Sequence, residues 1–261
     1  MTASTAVPRP ALWQSLLEFR ALFEVLSLTP ARPLLRMAPV GDGHPVLVFP
    51  GFFAADNSTA RLRKYLNSKG FVAYAWDEGR NPGISDELYQ RLEARVIELS
   101  ESHGRKVSLV GWSLGGIYAR LLSHRVSEHV RQVITLGSPF AVSEYGAVTG
   151  AVARLYERMN PNQENDPMLQ YESTWRSAPP VPSTAIYSEG DGVAHWSFCV
   201  DEEDEFTENL HVPSSHLGMT HNPLIMYAVA DRLSQEEGGW RPFRWVPHLR
   251  ERISCATRRL I

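Results

Sequence analysis

The stretch VSLVGWSLGGIYARLL, residues 107–122, confines the chain to few architectures. An apolar run suited to a strand buried on both faces meets Gly111-Trp112-Ser113-Leu114-Gly115, and an amphipathic helical pattern follows at once. A serine between two glycines at such a junction sits on a tight strand-to-helix turn, with its hydroxyl above the sheet edge. Gly111 and Gly115 let strand and helix cross where a Cβ would clash. The helix directs its amino end at the serine, so the Leu114 N–H is a candidate donor to a developing oxyanion. Ser113 is therefore the candidate nucleophile.

Around this junction, short apolar runs alternate with helical ones. VLVF at 46–49, FVAYA at 71–75, VITL at 133–136, TAIY at 184–187 and NLHV at 209–212 read as further buried strands. Leu88, Leu92, Val96 and Leu99 mark one face of an intervening helix. The alternation predicts an α/β fold, a mainly parallel sheet of about six strands with helices on both faces. The 261 residues, 43% hydrophobic, suffice for one domain, 1–261, with its own core. Within it, 1–37 forms an amino-terminal helical segment, 138–182 a small cap or lid insertion whose helix runs from Ala147 to Met159, and 240–261 an Arg-rich tail. Leu12, Leu16, Phe19, Phe23 and Leu26 recur at helical spacing with Glu18, Arg20 and Glu24 between them, which predicts an amphipathic helix packing its apolar face on the domain.

With 26 basic and 29 acidic residues the net charge is −3, which argues against a nucleic-acid partner. No apolar run is long enough for a spanning helix, and the first residues lack the pattern of a secretory signal, so a cytoplasmic protein is expected. Cys199 and Cys255 read as free thiols. Neither a dinucleotide fingerprint nor a phosphate loop is present, and no cofactor is expected; a metal site drawn from His195, Cys199, His211 and His216 lacks convincing spacing. The sequence leaves oligomeric state open.

A serine hydroxyl needs a histidine base, and that base a carboxylate to fix its tautomer. On a strand–Ser–helix scaffold these follow in the order Ser, acid, His, which excludes His44 and His103. Asp191, in SEGDG just beyond the TAIY strand, is the favoured acid, with Glu189 and Asp201 as alternatives. NLHVPSSHLGMTHNP supplies three histidines. His211 belongs to the strand, His216 lies in the Ser-rich turn beyond it, and His221 precedes an Asn-Pro helix start. His216 is the favoured base and His221 the alternative. The loop Phe49-Pro50-Gly51-Phe52-Phe53 should supply the second oxyanion donor, the Phe52 N–H being favoured over that of Phe53. Phe53 and Trp112 are candidate substrate contacts.

From Val46 to Leu233 these residues resemble the α/β-hydrolase superfamily, in particular its small bacterial lipase- and esterase-like members. The resemblance is carried by PGF at 50–52, GRNPG at 79–83, GWSLGG at 111–116, GSPF at 137–140, YSEGDGVAHW at 187–196 and SHLGMTHNP at 215–223. It implies a serine triad of Ser113, Asp191 and His216 that hydrolyses carboxylic esters, with Phe52 and Leu114 as main-chain donors and a small-molecule ester, lipids included, as substrate. Pro50-Gly51 replaces the His-Gly pair common in that superfamily. An acyltransferase using the same triad and a non-catalytic binding protein are the competing expectations.

Overall fold

The computed structural model describes residues 10, 12–141, 154, 158 and 171–244. Apart from Arg154 and Arg158 the predicted cap helix lies outside them, as does most of the Arg-rich tail. Six strands, β1 (Pro45–Phe49), β2 (Val72–Ala75), β3 (Val107–Trp112), β4 (Val130–Leu136), β5 (Ser183–Tyr187) and β6 (Thr207–His211), form one sheet in the order β2-β1-β3-β4-β5-β6. Every adjacent pair is parallel. β1, β3 and β4 are buried along their whole length, as unbroken apolar runs require when both faces are covered.

The described helices are α1 (Leu12–Leu16), α2 (Ala21–Ser27), α3 (Arg32–Met37), α4 (Ala60–Ser68), α5 (Asp86–His103), α6 (Leu114–Arg125), α7 (Glu172–Arg176) and α8 (Pro223–Leu233). Alternation along each strand divides the core in two. Val46, Val48, Val110 and Ile134 face one cluster with α4 and α8, while Leu47, Phe49, Leu109 and Val133 face another with α5 and α6. Local capping supports these helices: the Ser85 side chain accepts from Leu88 N at the start of α5, Gly104 ends it in the left-handed conformation, and Asn222 caps α8 ahead of Pro223.

The chain moves from β1 outward to β2, then returns past β1 to β3 and continues the other way. The carboxyl ends of β1 and β3 therefore flank the point where strand order reverses, the usual crevice of an open parallel sheet. The loops carrying Phe52, Ser113, Asp191 and His216 follow β1, β3, β5 and β6, so all four open on this edge.

The amino-terminal segment departs from expectation. It forms α1, a 3₁₀ turn over Leu17–Arg20 and α2, but its apolar side chains face outward: Trp13 is 61% exposed, Phe19 81% and Phe23 71%. The polar side is the inner one, because the loops beneath it present backbone groups that Glu18, Arg20 and Glu24 satisfy. No helix among the described residues is long and apolar enough to cross a membrane.

Candidate active site

Ser113 sits at φ 54°, ψ −123°, a positive-φ conformation that a side-chain-bearing residue rarely adopts. Packing enforces it. A Cβ on Gly111 would lie 2.2 Å from the Gly115 carbonyl oxygen, and one on Gly115 only 2.6 Å from that of Phe49. The backbone of β3 thus touches α6 directly, and the chain between them turns at Ser113. Ser113 N donates to Leu136 O at 2.9 Å, which ties the turn to β4. A Cβ on Gly51 would come 3.2 Å from that of Ser113, so the β1 loop closes on the serine from the other side.

The loops after β5 and β6 bring Asp191 and His216 together. His216 Nδ1 lies 2.6 Å from Asp191 Oδ2, both side chains being buried. Asp191 Oδ1 accepts from Val193 N and Ala194 N, each at 2.8 Å, which fixes the carboxylate plane. With the carboxylate accepting, Nδ1 carries the proton and Nε2 presents its lone pair. Burial pulls the His216 pKa down, but the charge of Asp191, its hydrogen bond and the charge of Glu18 outweigh this and leave it above 6.5. Among the described residues no hydrogen bond joins His216 Nε2 to Ser113 Oγ.

The alternatives have other engagements. Asp201 pairs with the buried Arg120 of α6; at Glu189 the contact is through the main chain, whose carbonyl accepts from Gln14 Nε2, and the carboxylate has no part in it. His221 Nδ1 faces Thr220 Oγ1 at 2.8 Å, His195 Nδ1 faces Ser197 Oγ at 2.8 Å, and His211 ends β6 against the Tyr187 ring. Cys199 is a buried free thiol, and Cys255 lies outside the described residues.

In the β1 loop, Phe53 N donates to Asn81 O at 2.7 Å, so that donor is committed. Phe52 lies in the loop after β1, and Leu114 is the first residue of α6. Phe53, itself at φ 58°, leaves its ring partly exposed with the Arg80 guanidinium 4.4 Å above it. Trp112 is buried, and its Nε1–H donates to His216 O at 3.0 Å, bracing the His216 backbone.

Two braces were invisible in the sequence reading. Asn81 is fully buried; its Nδ2 donates to Pro50 O at 3.0 Å, its Oδ1 accepts from Tyr118 Oη at 2.8 Å, and its N donates to Ala54 O. It pins the β1 loop to α6. Ser188 Oγ donates to Ser214 O at 2.7 Å and accepts from Ser214 N at 3.0 Å, joining the acid and base loops. Asn81 lies in GRNPG and Ser188 in YSEGDGVAHW, but neither motif marks its residue's partner, which for Ser188 lies 26 residues away.

Residues 86–186 match the family model described as PGAP1-like alpha/beta domain. Serine hydrolase BPHL of Mus musculus is 29% identical over 116 residues, 40% of this chain and 40% of that protein. Serine hydrolase BPHL of Homo sapiens is 28% identical over 120 residues, covering 42% of this chain and 41% of that protein. The chain thus aligns with well under half the length of these curated relatives. Among solved structures, Aspergillus fumigatus lipase B superposes with a TM-score of 0.57 at 19% identity, over 76% of this chain and 54% of that one. Bacillus licheniformis lipase BlEst2 in mature form gives 0.52 at 16%, over 75% and 94%. At such identities the likeness is one of fold. With six parallel strands flanked by helices, the chain has the α/β-hydrolase fold, and its family-model and serine-hydrolase matches are to proteins of that kind.

Proposed function

We propose that this hydrolase cleaves carboxylic esters through an acyl-enzyme on Ser113. The observation that carries the reading is the buried Asp191–His216 pair opening on the same sheet edge as a serine held at positive φ. Ser113 Oγ attacks the ester carbonyl carbon while His216 Nε2 takes its proton, and Asp191 stabilises the imidazolium that results. The oxygen, now negative, accepts from Phe52 N–H and Leu114 N–H. The tetrahedral intermediate collapses, the C–O bond to the alcohol breaks, and His216 returns the proton to the departing oxygen. Water then repeats the sequence: His216 accepts its proton, hydroxide adds to the acyl carbon, and the acid leaves as Ser113 regains its hydrogen. Phe53, on the loop after β1, and Trp112, the last residue of β3, border the serine and are assigned to the substrate side of the site, Phe53 by ring contact and Trp112 through its contact with His216.

The test is a p-nitrophenyl ester series from acetyl to palmitoyl, run with wild type and with Ser113→Ala at matched folding. Serine-dependent hydrolysis is expected, and its chain-length optimum separates an esterase from a lipase. Activity that survives in folded Ser113→Ala contradicts the assignment. Serine-dependent turnover that goes to an added alcohol in preference to water identifies an acyltransferase instead.

A further inference from the structure

Three backbone N–H groups from the acid and base loops converge on one carboxylate of the amino-terminal helix. Glu18 Oε1 accepts from Gly192 N at 2.8 Å and from His216 N at 3.0 Å, and Oε2 accepts from Leu217 N at 2.9 Å. Gly192 follows Asp191 directly, and His216 is the proposed base itself. Glu18 is only 8% exposed, although it belongs to a segment whose apolar side chains lie in solvent. Burying a carboxylate while leaving phenylalanines outside is unfavourable by any transfer scale unless the carboxylate has specific work. Its work here is to neutralise donors that the two loops would otherwise bury unpaired.

The loops are shaped for this helix. A Cβ on Gly192 would lie 2.3 Å from Gln14 O, one on Gly190 3.0 Å from Arg20 Nη2, and one on Gly218 would fall on the Glu24 carboxylate. Glycine at these positions admits the helix to direct contact. Further bonds extend the contact: Arg20 Nη2 donates to Gly190 O at 2.7 Å, Ser15 Oγ to Gly192 O at 2.9 Å, and Glu24 Oε1 accepts from Ser215 N at 2.8 Å.

From this we infer that Glu18 is a positioning residue, a carboxylate delivered from outside the sheet that sets the spacing of Asp191 and His216 and adds a second negative charge beside the imidazole. The inference rests on the triad reading for its catalytic consequence, but not for its geometry. The charged groups facing His216 are Asp191 and Glu18, with Glu24 bound one residue before it and Arg20 on the acid loop. Because Glu18 is one of the groups that raise the His216 pKa, its neutralisation lowers that pKa.

Glu18→Gln keeps the shape and removes the charge. The expected result is a kcat about 10- to 100-fold lower with KM within about threefold, as misplaced but present catalytic groups produce. The acid limb of kcat/KM moves to lower pH, and an NMR titration of His216 in a Ser113→Ala background shows the same downward shift. Glu18→Asp, one carbon shorter, restores the charge and recovers part of the pKa. A purely structural carboxylate would leave the His216 titration unchanged in folded Glu18→Gln, and that outcome overturns the inference. So does fast hydrogen exchange of the Gly192, His216 and Leu217 amides in folded wild type, a measurement that needs no variant. The NMR titration stands whether or not the enzyme turns over, whereas the triad reading fails separately, through activity in Ser113→Ala.

Discussion

Asp191 and His216, 25 residues apart and on loops after adjacent strands, meet at 2.6 Å between Oδ2 and Nδ1. This pair, buried on both sides, sets the tautomer that leaves Nε2 available as a base. Asp191→Asn should reverse the tautomer by offering an N–H where a lone pair was. The expected loss in kcat is about 10⁴-fold, with little change in KM, measured on a soluble p-nitrophenyl ester after confirming the fold by circular dichroism.

A base must be neutral to accept a proton, and the His216 pKa is raised by Asp191 and Glu18 against the pull of burial. The acidic limb of kcat/KM is therefore expected at higher pH than an ordinary imidazole would give, and in Asp191→Asn it should move to lower pH. A pH–rate profile between 5 and 9, in buffers of about constant ionic strength, reads both.

At the opposite end of the sheet a second buried histidine behaves in the reverse sense. His44 Nδ1 lies 2.6 Å from Asp42 Oδ1 and Nε2 accepts from Ser108 Oγ at 2.8 Å, so the ring is neutral and fully engaged. Burial, joined by the Arg131 charge, pulls its pKa down to about 4 despite Asp42. A depressed folded value means that the unfolded chain takes the proton first. Stability should be full above pH 6.5 and decline by about 3 kcal/mol as pH falls towards 4. Urea unfolding at pH 7.5, 6 and 4.5 measures this, and His44→Asn should give a lower but flatter profile. His216 works against the trend, since its raised value stabilises the fold at low pH and that stabilisation disappears as pH rises through it.

Asn81 joins the β1 loop to α6 through Pro50 O and Tyr118 Oη. Asn81→Ala leaves these buried groups unpaired at a cost of about 1–3 kcal/mol. Because the same loop carries Phe52 N–H, kcat should also fall, by about 10- to 100-fold, with thermal unfolding measured in parallel to separate the two effects.

The sheet was legible because its strands are short apolar runs at regular intervals, and because glycines at 111 and 115 have one mechanical use at a strand–helix crossing. Asp191 and His216 were legible through chain order and position after strands. The facing of the amino-terminal helix was not. Periodicity identifies two sides of a helix but assumes that the apolar one is buried, and here the buried side was decided by N–H donors at Gly192, His216 and Leu217, more than 170 residues on. By periodicity alone Glu18 is an ordinary polar interruption of the apolar pattern. Asn81 lay inside a motif, yet its partners, Pro50 and Tyr118, are joined to it only by the fold.

The most direct test of the account is covalent trapping. Wild type treated with a fluorophosphonate should gain one adduct, located by peptide mass spectrometry on Ser113, with ester hydrolysis lost in proportion to labelling; Ser113→Ala should neither label nor turn over. Ester hydrolysis that continues in fully labelled protein, or an adduct on another residue with Ser113 untouched, would contradict it.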